Sequence, residues 1–454
     1  MHYKKLLLAA FAALIACSCT KHSDPPTNNP PPNAKPGPFT VTVDYRTETT
    51  AALSWSSADS IAKDSVRYTV LLGQIKKDSN LLRQADTLMR ILPDSAYLGI
   101  IIAVSKHGDS SFATFNLPAF QGYAYVQSGG FFGCVDIIHW KYKWQLPGIS
   151  YYGSWSSPCF NGDTLFITNG ASSVSTLMAI NKKDGNIIWQ SSTGDDLLAP
   201  QLYYDNGRLF FKHDTQIFAF NSSTGAFIWK NQFATYPSQN PIAMADNLVF
   251  AGDNDKKIYA LDAGDGHLVW SYLTNGPVSF SVPLATKDVL YFGNNTATLY
   301  ALSPTTGNII WKITNENGGA VGPHPLRDST GLYANIGGNT LYRLNPLTGN
   351  ILWQQYPSGI AAFGALQMDR TTIFTADDAK IYSIDKLTGQ INYSTGASYP
   401  NYGSFRLANH RMYYLYPPHF VTLDCMTGQE ALELSNIDIY NVQSMVMEIN
   451  GITY

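Results

Sequence analysis

ALDAGDGHLVW, residues 260–270, decides the fold, because the chain spells the same phrase repeatedly. AINKKDGNIIW (179–189), AFNSSTGAFIW (219–229), ALSPTTGNIIW (301–311) and RLNPLTGNILW (343–353) keep its order of turn residues, glycine and tryptophan. Two weaker copies, SIDKLTGQINY (383–393) and TLDCMTGQEAL (422–432), put Tyr393 and Leu432 in the tryptophan position. The glycines fall at Gly185, Gly225, Gly266, Gly307, Gly349, Gly389 and Gly428, so successive copies are 39 to 42 residues apart. A near-constant period of that size is the length of one four-stranded propeller blade.

Each part of the phrase has a physical reason. An apolar residue ends a strand, Asp or Asn with the following Thr-Gly makes a tight turn, and glycine supplies the positive φ. The tryptophan four residues after the glycine then begins to bury a large flat ring against the neighbouring blade, a role expected of Trp144, Trp189, Trp229, Trp270, Trp311 and Trp353. Alternating aromatic strands stand upstream, as in Leu209-Phe210-Phe211, Leu290-Tyr291-Phe292 and Ile373-Phe374. An eighth, degenerate copy, CVDIIHWKYKW (134–144), carries Trp140 where glycine belongs and lacks a full complement of upstream strands. The missing strand is expected from the chain's other end, SMVMEINGITY (444–454), so the reading is eight blades, with seven as the alternative.

These Trp, Gly and Asp/Asn positions resemble the repeats of the quinoprotein-like (PQQ-like) family over residues 120–454. The resemblance implies a β-propeller. It does not imply the cofactor, since members that include an outer-membrane assembly lipoprotein keep the tryptophans as interblade packing alone. Residues 38–117 lack the phrase and read as strands around Trp55, Tyr68 and Tyr97. Trp55, Tyr68 and Leu92-Pro93-Asp94-Ser95-Ala96-Tyr97, in that order, resemble a fibronectin type III sandwich with its tyrosine corner. The fold class expected is therefore all-β, a sandwich preceding a propeller.

Residues 1–16, with Lys4, Lys5 and an apolar run too short to span a bilayer, read as a signal peptide. Leu14-Ile15-Ala16-Cys17 resembles the bacterial lipobox, which implies lipidation of Cys17 and an exported, outer-membrane-anchored chain on the periplasmic or cell-surface face. Residues 17–37, rich in Pro, Asn, Ser and Thr, read as a tether. With 30 Lys plus Arg against 33 Asp plus Glu, the chain has no basic excess for nucleic acid. Cys19, Cys134, Cys159 and Cys425 are expected as free thiols, with a Cys134 to Cys159 bridge as the alternative.

In the usual strand order the ligand-facing rim is made by the loops leading into each blade's first strand. Those loops carry Tyr151, Tyr152, Trp155, Tyr236, Phe280, Phe363, Tyr399, Tyr402, Phe405 and Tyr440, with Asp195, Asp196, His324 and Asp438. Aromatic rings dominate, and rings stack on sugars or fill protein pockets. A quinone dehydrogenase of this family needs an Asp base, an Arg beside the quinone and a calcium cage, and this set of residues offers no arginine. No nucleophile with a neighbouring base, zinc spacing or phosphate loop stands in the sequence. The expectation is a monomeric, non-catalytic protein with no metal or cofactor, binding a protein or glycan partner. The alternatives are a scaffold for outer-membrane protein assembly and a quinone-dependent oxidoreductase. Asp262, Asp385 and Asp424 read as turn carboxylates rather than metal ligands.

Overall fold

The computed structural model describes residues 36–453 apart from short segments, the longest being 59–65, 147–157, 195–200, 234–240, 357–365, 397–405 and 434–444. Cys17 and the tether up to residue 35 lie outside the described residues, within which the helix and strand assignments are all strand. The chain divides into two compact units, the first holding residues through 91 and 95–118, the second 92–94 and 119–454.

The first unit has seven described strands, β1 (Val41–Arg46), β2 (Thr50–Trp55), β3 (Arg67–Leu72), β4 (Ile75–Leu81), β5 (Ala85–Met89), β6 (Tyr97–Val104) and β7 (Ser110–Leu117). They form two antiparallel sheets, ordered β1-β2-β5 and β4-β3-β6-β7. Alternation along β3 buries Tyr68, Val70 and Leu72, as expected of a sheet with one dry face. Trp55 meets the Tyr68 ring at 5.4 Å, and the Tyr68 hydroxyl accepts the Ala58 N–H at 3.0 Å, so the buried phenol has a partner.

The second unit is eight antiparallel sheets among the described residues, and the phrase of the repeat explains seven of them. Sheet 1 opens at Gly122, and the others follow in chain order. Sheet 2 spans 159–192, sheet 3 203–232, sheet 4 243–273, sheet 5 284–314, sheet 6 326–355, sheet 7 367–396 and sheet 8 406–433, each with four strands in sequence order. In every case the phrase covers the third strand, the turn and the fourth strand. Trp270 faces Ala260 across the strand pair, and the register slips by one residue beside it. Trp189, Trp229 and Trp311 face Ala179, Ala219 and Ala301 with the same slip, so the alanine that opens each copy leaves room for the indole.

Sheet 1 is assembled from both ends of the unit. Gly122–Ser128, Phe131–Asp136 and Lys141–Leu146 are joined by Met445–Ile449, which pairs antiparallel with Gly122–Ser128, and then by Ile452–Thr453. The first strands of sheets 2 and 3, 4 and 5, and 7 and 8 approach one another, and Met445–Ile449 approaches that of sheet 8 in the same way, so it takes the place of a first strand on the inner side of the sheet, with Ile452–Thr453 beyond it at the edge. Apolar clusters link the sheets in cyclic order. Tyr125 and Phe132 of sheet 1 pack with Leu165 and Met178 of sheet 2, and Phe292 and Leu302 of sheet 5 with Phe250 and Ile258 of sheet 4. Tyr413 of sheet 8 packs with Val126, Met447 and Ile449 of sheet 1, which brings the series back to its start.

Candidate functional site

The seams between sheets are built on one pattern. The motif glycines have φ between +70° and +79°, a conformation that costs other residues energy. At Gly225 a second reason appears: a Cβ there would lie 2.5 Å from the Trp189 ring of the preceding sheet. The ring rests on the bare glycine, and its Nε1 donates to the carbonyl of Ser222 in the same turn at 3.1 Å. Trp144, Trp229, Trp270, Trp311 and Trp353 donate in the same way to Lys182, Ala263, Pro304, Pro346 and Lys386, at 2.8–3.1 Å. At the seventh copy the Tyr393 hydroxyl donates to the Cys425 carbonyl at 3.0 Å.

The motif carboxylates and amides hold the turns. Asn221 Oδ1 accepts the N–H groups of Ser223 and Thr224, and Asp385 Oδ1 those of Leu387 and Thr388. These hydrogen bonds keep the Asp385 carboxyl below its usual range. Among the described residues, one group has metal-ligand spacing: Asp262, Asp265 and His267, whose ligand atoms lie within 4.8 Å of one another. Its atoms already serve the turn, Asp262 Oδ1 accepting Gly264 N–H at 2.6 Å and Asp265 Oδ1 meeting His267 Nδ1 at 2.6 Å.

The ten aromatic residues expected at the rim, Tyr151, Tyr152, Trp155, Tyr236, Phe280, Phe363, Tyr399, Tyr402, Phe405 and Tyr440, all lie outside the described residues, as do Asp195, Asp196 and Asp438. His324 is the described member of that set. His324 is exposed as a residue, and nearby protein followed by the field of Arg406 lowers its imidazole below the usual range. His324 precedes the first strand of sheet 6 and Arg406 opens that of sheet 8, so an arginine lies within electrostatic reach of His324, one residue beyond Phe405 in sequence.

Two further features, a buried lysine and a cavity, were not legible in the pattern of repeats, whereas the free thiols expected at Cys134, Cys159 and Cys425 are found. Lys212, 5% exposed at the end of a strand in sheet 3, has its ammonium pushed down to about 8 by burial, against the raising influence of Asp253 and Asp214. Cys134, Cys159 and Cys425 are free thiols, and burial pushes the first two up to about 12, which removes thiolate reactivity. A cavity of about 210 Å³, lined by Phe120, Gln121, Tyr123, Asp136 and His139, opens beside sheet 1.

Among the described residues the fourth strands present a repeated surface feature. The two residues before the tryptophan in sheets 2 to 6 are Ile187-Ile188, Phe227-Ile228, Leu268-Val269, Ile309-Ile310 and Ile351-Leu352, and all ten are 39–57% exposed. The series stops there, because the corresponding pairs are Ile391-Asn392 in sheet 7, Glu430-Ala431 in sheet 8 and Tyr142-Lys143 in sheet 1. Five successive outer strands thus carry apolar pairs, flanked by strands whose pairs each hold one polar residue.

A family model described as outer membrane protein assembly factor BamB matches residues 173–319 and 274–407, which together cover more than half of the chain. Among solved structures, BamB from Moraxella catarrhalis is similar with a TM-score of 0.52 at 17% identity, covering 65% of this chain and 91% of that one. The computationally designed Ika8 protein gives a TM-score of 0.54 at 13% identity, covering 73% and 92%. Quinohemoprotein alcohol dehydrogenase from Comamonas testosteroni gives 0.50 at 11% identity, covering 65% and 69%. At such identities the likeness is one of fold. No curated protein matches the chain by sequence.

Proposed function

The chain belongs to the family described as outer membrane protein assembly factor BamB, and we propose on that premise that it is a non-catalytic, exported scaffold that presents a propeller to a protein or glycan partner. We read the eight sheets as eight blades, residues 38–117 as a fibronectin type III-like module, and Cys17 as the lipidated residue that anchors a monomer to the outer membrane. Within this reading, work in outer-membrane protein assembly is the role the family match favours.

The observation that carries it is the apolar series on the outer strands of sheets 2 to 6. Exposed apolar side chains repeated in pairs on successive strands are the kind of surface that protein interaction sites use. The seams supply the rest of a scaffold: seven ring-to-carbonyl hydrogen bonds tie sheets 1 to 7 each to its successor, and none of them draws on the loops that lead into the first strands. Those loops, with Trp155 and Tyr402, remain the proposed rim.

Photo-crosslinkers placed at Ile310 on the outer strands, at Trp155 on the rim and at Leu82 on the sandwich, in cells that make the full chain, test the proposal. A discrete crosslinked protein or glycoconjugate at either of the first two positions and not at Leu82 supports it. Equal, diffuse labelling at all three defeats it, and quinone-dependent dye reduction by the purified protein at enzyme-like turnover would replace it with the oxidoreductase reading.

A further inference from the structure

Sheet 1 has an inner strand taken from the far end of the chain, and that strand is held by a buried polar group. Glu448 lies opposite Tyr123 in the pairing of Met445–Ile449 with Gly122–Ser128. Its side chain is 8% exposed. One carboxylate oxygen accepts the Lys182 ammonium at 3.1 Å, and the other accepts the Tyr125 hydroxyl at 3.3 Å. Met447 and Ile449, on the opposite face of the strand, pack with Tyr413 of sheet 8. The strand is therefore gripped by apolar contacts on one side and by an ion pair on the other.

Lys182 does double service. Its carbonyl accepts Trp144 Nε1 from the outer strand of sheet 1, and its ammonium reaches Glu448 on the inner one. One residue in the turn of sheet 2 thus holds strands from both ends of the unit, 38 and 266 residues away in sequence. Lys386 occupies the same motif position in sheet 7, is 2% exposed, and bonds Asp328 of sheet 6. There the partner is already fixed by chain continuity. Within its sheet Met445–Ile449 is joined through the chain only to Ile452–Thr453, so pairing and side-chain contacts must hold both to the strands of residues 122–146.

We propose that Glu448, with Lys182 and Tyr125, is a latch on a C-terminal strap, and that Met445–Ile449 is the strand that leaves first when the ring opens. Breaking a buried pair by removing one charge leaves the other without compensation, whereas the rest of the ring keeps its contacts. The inference rests on reading the eight sheets as one ring, and the two fail differently.

Amide hydrogen exchange on the full-length protein makes the test. In the parent, 445–449 should be protected, though less than sheets 4 to 6; exchange there at the rate of an unfolded segment overturns the ring reading itself, and protection equal to sheets 4 to 6 overturns the order of opening. Glu448→Gln should speed exchange in 445–449 and 122–128 about tenfold or more, with sheets 4 to 6 unchanged. Lys386→Met should speed sheets 6 and 7 and leave sheet 1 alone. Exchange in 445–449 within about twofold of the parent, or an equal acceleration of every sheet, overturns the latch. Should Glu448→Gln fail to fold, Lys182→Arg and Lys182→Met decide: protection of 445–449 kept with Arg and lost with Met supports the latch, and the same protection in both overturns it.

Discussion

The seam between sheets 2 and 3 and the closure of sheet 1 solve one problem by different means. At the first, a large ring lies on a bare glycine and donates to the turn beneath it, as Trp189 does on Gly225 and Ser222. At the closure, strands from opposite ends of the unit must be brought together, and a buried carboxylate joins the apolar contacts. In the phrase itself, Leu432 and Trp140 stand where the other seams have an aromatic ring and a glycine; Trp140 and the Leu432 side chain lie outside the described residues. The difference teaches that repetition serves where chain continuity has already placed the neighbour. Where it has not, side-chain chemistry specific to one site is added.

The largest effect is expected at the closure. Removing residues 444–454 takes the inner strand from sheet 1, exposing a strand edge and the cluster around Val126 and Tyr413, so the truncated protein should aggregate or melt far below its parent. A truncated protein with an unchanged melt would reduce the difference between the two regions to nothing.

Next come the ordinary seams. Gly225→Val places a branched side chain at φ +71° and against the Trp189 ring, and should cost about 3–5 kcal/mol in chemical denaturation. Trp270→Ala removes a ring that packs with the cluster around Phe250 and a hydrogen bond to Pro304, for a loss of about 3 kcal/mol. A Trp270→Ala loss below about 1 kcal/mol would mean that the seams draw little on their tryptophans.

The smallest effects are electrostatic. Asp328 is held at about 2: burial alone would raise it, but the bond from Lys386 and those from Thr330 outweigh burial. A carboxyl depressed on folding adds stability that is present above its unfolded value near 4 and is lost as pH falls from there through about 2. Melting followed from pH 5 to pH 2 should therefore fall less steeply in Asp328→Asn than in the parent. Lys212 has the opposite character. Its penalty is present in full below pH 8 and is relieved as pH rises from about 8 toward its unfolded value near 10.5, because in that window the unfolded chain binds the extra proton. Lys212→Met should flatten the alkaline part of the same curve.

Much of the fold was legible because its information is local and repeated. The spacing of the glycines gave the sheet period, the alternating strands gave sheets, and the alanine that opens most copies is now seen to face the tryptophan. In the first unit, the runs around Trp55, Tyr68 and Tyr97 were readable as strands, whereas the polar strand Ile75–Leu81 was not, because few apolar residues mark it. The site was far less legible. Arg406 near His324, buried Lys212 and the Glu448 pair are single side chains whose meaning depends on partners distant in sequence, and no local pattern distinguishes them from surface charges.

By itself, then, the sequence determined the strand class, the repeat and the turn chemistry, since tight turns and ring-on-glycine packing are dictated by residues a few positions apart. Only the tertiary structure decided which carboxylates are turn acceptors and which are buried partners, that Lys182 and Lys386 at one motif position reach different carboxylates, and that the apolar pairs before five tryptophans face solvent. Burial is the reason: the energy of a charge or of an apolar side chain is set by what surrounds it in space, and those surroundings are supplied by sheets that meet only after the chain has closed.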